Sequence, residues 1–243
     1  MFPRTLAALA LLCLLTACDS TSSLKTLRAT ALSGDAYQSA LAGNYRTYAE
    51  QKEAAYDWWT SKYFADKGLM AVVVDAPSDR LRAPFLNGFR QTEEHAADLK
   101  ATIAWARATA KVPVWLVGTS RGTQSAAYAA TVLQGADAPD GVVLTATILA
   151  DDKQRPVPAM PLEQIKVPVL VVHHQQDGCS YCAYSEIPNL MAKLTHTPRS
   201  HLITATGGKN QGDACAAFAY HGFNGLEADV VGQMADWILA PAR

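Results

Sequence analysis

The segment 112–130, VPVWLVGTSRGTQSAAYAA, decides how the chain reads. An apolar run ends in Gly118-Thr119-Ser120-Arg121-Gly122, and small apolar residues follow. A short, continuously apolar run rich in β-branched residues predicts a strand buried on both faces. The stretch 120–133, stopped at Gly135, predicts a helix. Ser120 therefore sits between two glycines at a strand-to-helix junction. A turn that sharp leaves no room for a Cβ at Gly118 or Gly122. It pushes Ser120 out at the carboxyl end of the strand, where the positive end of the helix points at it.

Four more runs resemble the one at 113–118. They are 70–75 (MAVVVD), 141–149 (GVVLTATIL), 167–173 (VPVLVVH) and 201–205 (HLITA). Helical patterns lie between them. Thr92 is placed to cap a helix with Glu93 and Glu94 in its first turn and Ala96, Leu99 and Ile103 on one face. Residues 186–194 predict another helix. A last one, capped by Asn224, carries Leu226, Val230, Val231, Met234, Trp237 and Ile238 on one side. Strands alternating with helices predict an α/β fold with a parallel sheet covered on both faces. The proline-rich stretch 156–161 marks a loop.

The chain has 243 residues, 49% of them hydrophobic and 18% charged, with a net charge of −1. Such a composition supports a packed core, and the charge gives no reason to expect nucleic acid. The first residues, MFPRTLAALALLCLLTACDS, carry Arg4, an apolar stretch from Leu6 to Leu15 and then small residues. This pattern predicts an export signal at 1–17, too short to span a membrane. Its end, Leu15-Thr16-Ala17-Cys18, resembles the lipobox of bacterial lipoproteins. That resemblance implies cleavage before Cys18, lipidation of its thiol and a protein anchored on the periplasmic side of the bacterial envelope.

Export leaves three cysteines, Cys179, Cys182 and Cys215, in a compartment that permits disulfides. One bridge and one free thiol is the simplest outcome. A bridge from Cys215 to Cys179 or Cys182 would tie two loops together. Spacing alone does not choose between them, and Cys179 is favoured. A second C-x-x-C and an H-x-x-x-H are both absent, so no metal is expected. A redox role for the Cys179–Cys182 pair is disfavoured, because it does not lie at a first strand-to-helix turn.

G-x-S-x-G at a strand-to-helix junction is the arrangement of an activated serine. Such a serine needs a base, and the base needs an acid to orient it. Asp177, just past the 167–173 strand and before Gly178, is the first choice of acid; Asp151 and Asp152 are the fallback. Of the six histidines, His196, His201 and His221 follow Asp177. His221 lies between the last strand and the last helix, beside Gly222, and is the expected base. His173 and His174 are expected to support the site from the strand end.

Taken together, VVVDAPSDR, VPVWLVGTSRGTQSAA, DGVVLTATIL, VPVLVVHHQQDGC and AYHGFNGLEADVV make residues 68–243 resemble a bacterial α/β-hydrolase. The resemblance implies Ser120 as nucleophile, Asp177 as acid, His221 as base and the Arg121 amide as one oxyanion donor. It implies hydrolysis of an ester or related small acyl substrate through an acyl-enzyme, without a cofactor.

One part of that family's pattern is missing. Residues 24–67 hold no apolar strand run and no glycine-rich loop for a second oxyanion donor. The stretch 37–68 reads instead as helix, with Tyr45, Tyr48, Lys52, Ala55, Tyr56, Trp59 and Tyr63 on one face. With the lipobox, 18–67 resembles the amino terminus of outer-membrane-protein-A-type lipoproteins. The early strands are thus expected to be replaced by helix. The 70–75 strand is then expected to pair with 113–118, bringing an amide at Ala76 or Ser78 beside Ser120. The competing reading is a non-catalytic envelope lipoprotein with a degenerate hydrolase domain.

Overall fold

The computed structural model describes residues 9–13, 29–30, 62–74, 76–80 and 82–240. Cys18, residues 37–61 of the helix expected over 37–68, and Asp75 lie outside the described residues.

The strands are β1 (Leu9–Cys13), β2 (Ala29–Thr30), β3 (Met70–Val74), β4 (Val114–Thr119), β5 (Gly141–Thr145), β6 (Val169–His174) and β7 (Ser200–Ala205). They form one sheet in the order β2-β3-β1-β4-β5-β6-β7. Every pairing is parallel except that of β2 with β3. Among the described residues, besides a helical turn at 62–66, the helices are α1 (Glu93–Ala110), α2 (Arg121–Val132), α3 (Ile187–Ala192) and α4 (Glu227–Leu239). All five expected strands are present, each shifted or trimmed at its ends.

Two expectations are corrected here. The place next to the nucleophile strand is not empty, and β3 does not move over to fill it. β1 lies between β3 and β4, with Leu9 in register with both Met70 and Val114. Leu-Ala-Leu-Leu-Cys is a short apolar run, and periodicity does not separate an export signal from a buried strand. Because β3 and β4 do not pair, no strand pairing brings the Ala76 or Ser78 amide beside Ser120. Ala76 is buried with Leu86 and Phe89 instead.

Side chains of β4 alternate between two apolar layers. Val114 and Leu116 point into the layer that holds Leu99, Ile103, Ala126, Ala130 and Leu190, from α1, α2 and α3. Trp115 and Val117 point into the other, against Val230, Val231, Met234 and Ile238 of α4. Phe64, in the helical turn at 62–66, is fully buried in this second layer. The end of the amino-terminal segment therefore packs on the sheet.

Cap chemistry follows the sequence at α1, where the Thr92 hydroxyl accepts from the His95 amide at 3.2 Å. It does not at α4. That helix begins after Leu226 with no side-chain cap, and the Asn224 amide donates instead to Phe218 O at 2.7 Å. Asn224 serves the loop before the helix rather than the helix itself.

Candidate active site

The β4–α2 turn is as tight as its glycines predict. A Cβ built on Gly118 would lie 2.5 Å from the Gly122 carbonyl oxygen. Ser120 itself has φ 50° and ψ −120°, a conformation that non-glycine residues rarely adopt. The surroundings hold it there. Its amide donates to Thr145 O at 3.0 Å, and its carbonyl accepts from the Thr123 amide at 2.9 Å. The local strain presents a partly exposed hydroxyl at the amino terminus of α2, where unpaired helix amides and the dipole favour negative charge.

Asp177 follows β6. Its buried carboxylate accepts from the Cys179 amide on Oδ1 at 2.9 Å and from His221 Nδ1 on Oδ2 at 2.9 Å. His221 sits in the short turn Tyr220–Gly222 and is buried. The turn is close-fitting, since a Cβ on Gly222 would lie 2.0 Å from the Ala217 carbonyl oxygen. With Nδ1–H committed to Asp177, the lone pair falls on Nε2. That atom is buried and has no hydrogen-bond partner among the described residues. Ser120 and His221 are thus not hydrogen-bonded to each other in this structure. Such bonds are often long until a substrate is bound.

The two histidines at the end of β6 brace the pair. His173 Nε2 donates to Cys182 O at 2.7 Å and lies 3.6 Å from Asp177 Oδ2. Burial, foremost, pushes its pKa down, so the ring stays neutral beside the carboxylate. His174 Nε2 donates to Gly207 O at 2.9 Å, and its Nδ1 accepts from the Gln176 amide at 3.0 Å. Its ring stacks on Tyr220, the neighbour of His221, at 4.4 Å. His196 binds Glu163 O and His201 is exposed on β7, so neither meets Asp177.

Cys179 is bonded to Cys215, and Cys182 is a buried free thiol. The bridge joins the loop carrying Asp177 to the loop carrying His221. Ligand atoms of Cys179, Cys182 and His221 lie within 4.8 Å of one another. Two of the three are not available as thiolates. Cys179 is oxidised, and burial pushes the Cys182 thiol far up.

The Asp151 side chain is buried, but its partners are not histidines. It pairs with the Arg121 guanidinium on Oδ2, and its Oδ1 accepts from the Lys153 amide at 3.0 Å. Burial alone would raise this carboxyl, but the Lys153 amide and the Arg121 guanidinium outweigh it and hold the pKa down. Asp152 is exposed. Arg121 also lies over the Tyr181 ring, 4.8 Å from its centroid. Sequence reading missed this Asp151–Arg121–Tyr181 group, because its members come from the start of α2 and two separate loops and share no common motif.

No protein-family model and no curated protein matches the chain. Solved structures do. The chain superimposes on an acetyl ester-xyloside bifunctional hydrolase from Caldicellulosiruptor lactoaceticus with a TM-score of 0.54 and 12% identity, over 98% of this chain and 84% of that one. A Thermus thermophilus protein matches with a TM-score of 0.53 and 16% identity, over 97% and 91%. An α/β serine hydrolase without a lid from Xanthomonas campestris matches with a TM-score of 0.50 and 15% identity, over 98% and 88%. The fold is that of the α/β-hydrolases. In an α/β-hydrolase fold the serine turn lies at the carboxyl end of a central parallel strand, followed in the chain by the acid and then the histidine. Ser120 after β4, Asp177 after β6 and His221 before α4 occupy those places in that order.

Proposed function

We propose that the protein is a serine hydrolase of esters or related acyl compounds. The observation that carries this reading is a buried, carboxylate-bound His221 whose Nε2 is unpartnered, in a chain that also holds a strained Ser120 at the β4–α2 turn. The proposed sequence begins with attack of Ser120 Oγ on the substrate carbonyl carbon. His221 Nε2 takes the hydroxyl proton, and Asp177 holds the imidazole in the required tautomer and stabilises its charge. The Arg121 amide, at the start of α2, donates to the developing oxyanion. Collapse breaks the ester C–O bond, and His221 returns the proton to the leaving alcohol. Water then attacks the acyl-Ser120 ester by the same proton path and regenerates the hydroxyl. No cofactor enters these steps. The likeness to a Xanthomonas campestris serine hydrolase supports the reading at the level of fold.

We also propose that the protein works in the bacterial envelope, cut before Cys18 and held to the membrane by lipid on that residue. The sequence of the leader supports this, as does a disulfide, which belongs in an oxidising compartment.

The test is labelling with a fluorophosphonate probe, which reacts only with an activated serine. The parent protein should label, and both Ser120→Ala and His221→Ala should not. A folded parent that fails to label would overturn the enzyme reading in favour of a non-catalytic envelope lipoprotein.

A further inference from the structure

Three donor groups from two loops meet at the base. Cys179 Sγ, Cys182 Sγ and a ring nitrogen of His221 lie within 4.8 Å of one another, and all three residues are buried. Spacing does not reveal the group, because only the two cysteines are close in sequence. Thiolate and imidazole donors in a closed site suit zinc. Zinc bonds of about 2.3 Å to sulfur and about 2.0 Å to nitrogen place tetrahedral donors roughly 3.5–4 Å apart. The three groups are therefore within a small side-chain movement of one shared ion.

The bridge decides whether such an ion fits. In the resting protein Cys179 Sγ is bonded to Cys215, and it is the thiolate, not the disulfide, that binds metal. The other two donors do not belong to the bridge. Cys182 is held by its own bonds. Its amide donates to Cys179 O at 2.9 Å, its carbonyl accepts from His173 Nε2 at 2.7 Å, and its thiol donates to Ala146 O at 3.4 Å. Burial keeps that thiol protonated until an ion in contact supplies the opposing charge. No step of the proposed hydrolysis uses it. His221 is held by Asp177 on Nδ1 at 2.9 Å, which leaves Nε2 as the donor, buried and without a hydrogen-bond partner among the described residues. A carboxylate on the far nitrogen is what orients metal-bound histidines.

We propose that Cys179, Cys182 and His221 form a zinc site that becomes available when the Cys179–Cys215 bridge is reduced. A dithiol reductant supplies the two electrons. Its own S–S bond forms as the Cys179–Cys215 bond breaks, and each cysteine takes a proton. Zn²⁺ then displaces the protons of Cys179 and Cys182 to solvent and takes the Nε2 lone pair. The fourth position of the tetrahedron is left to the released Cys215 thiol or to water. Bridge and metal are thus exclusive states of one cluster. The metal site stands on these donors alone, and its consequence rests on the serine-hydrolase reading. With Nε2 on zinc, the base has no lone pair for the Ser120 proton, and hydrolysis stops.

The test uses the full chain, oxidised and reduced, metal-free and without oxygen. A phosphine serves as reductant, because a dithiol would compete for metal. Co²⁺ is the probe. The reduced parent should bind one equivalent, with the intense visible bands of a tetrahedral ion and the ultraviolet band of cobalt–thiolate bonds, and Zn²⁺ should displace it. The oxidised parent should bind none. Cys182→Ser keeps the bridge and the three residues of the proposed triad. When reduced, it should bind more weakly by more than the roughly 10–100-fold typical of losing an outer-shell partner. Zn²⁺ should also stop hydrolysis of 4-nitrophenyl butyrate by the reduced parent, and a chelator should restore it. The oxidised parent and reduced Cys182→Ser should be unaffected at the same free Zn²⁺. Equal affinity in the reduced parent and Cys182→Ser, or Co²⁺ bound without thiolate bands, would overturn the site. So would a reduced parent whose near-ultraviolet circular dichroism is lost and does not return with metal. Stoichiometric metal in the reduced protein, with no hydrolysis by the oxidised one, would keep the site and sink the hydrolase. Hydrolysis with no metal bound by the reduced protein would do the reverse.

Discussion

His221 Nδ1 and Asp177 Oδ2 meet at 2.9 Å across 44 positions of sequence, and the Cys179–Cys215 bridge spans the same two loops. The acid is buried, and its second oxygen is taken by the Cys179 amide. Replacing it leaves the histidine without the acceptor that sets its tautomer. Asp177→Asn should keep the fold and lower kcat for 4-nitrophenyl butyrate by roughly 10³–10⁴-fold. Steady-state kinetics beside a thermal melt would check it. A loss under tenfold would mean that His221 is oriented by something else.

The bridge makes its own prediction. It closes a loop of 36 residues, and in the chain-entropy account that is worth about 3–4 kcal/mol against the unfolded state. Cys215→Ser should therefore lower stability by that order, and denaturant melts would read it. It should also lower kcat more than it raises KM, because the acid and base loops lose their tie.

His95 sets an acid limit. It is buried against Phe89, and both ring nitrogens lack partners among the described residues. Burial, with Arg90 adding to it, lowers its pKa from 6.5 to about 3. Between those values the unfolded chain binds a proton that the folded chain refuses. The penalty is absent above pH 6.5 and grows as pH falls toward 3. Stability should then fall by up to about 1.4 kcal/mol per pH unit on account of this group. His95→Leu should flatten the pH dependence of the denaturation midpoint over that range. An unchanged slope would contradict the assignment.

The leader raises a question of mass and register. A chain cut before Cys18 has no β1, so one molecule cannot have both the cleavage and that strand. Expressed in an exporting bacterium, the protein should lose residues 1–17 and gain lipid, and Cys18→Ser should accumulate uncut in membranes. Mass spectrometry of the purified product would decide. An intact amino terminus would establish Leu9–Cys13 as a working strand and end the lipoprotein reading.

Much of the fold is legible in the residues alone. The runs at 70–75, 113–118, 141–149, 167–173 and 201–205 are apolar without alternation, which is the mark of strands covered on both sides. The Ser120 turn is legible because its glycines answer a local steric need. The Asn224 cap was misread because the same side chain suits a loop bond as well as a helix start. β1 was invisible because an export signal and a central strand share one composition. The Asp151–Arg121–Tyr181 group was invisible for another reason. Its members are ordinary one at a time, and only the packing of two loops against the start of α2 brings them together.

The Cys179–Cys215 bridge also ties chemistry to place. Thiols join only where the surroundings draw electrons from them, and the interior of a bacterial cell does not. Until the bridge forms, Asp177 and His221 sit on two untethered loops. On the export reading proposed above, the oxidising milieu that closes the bridge is in effect the last participant in the site's assembly.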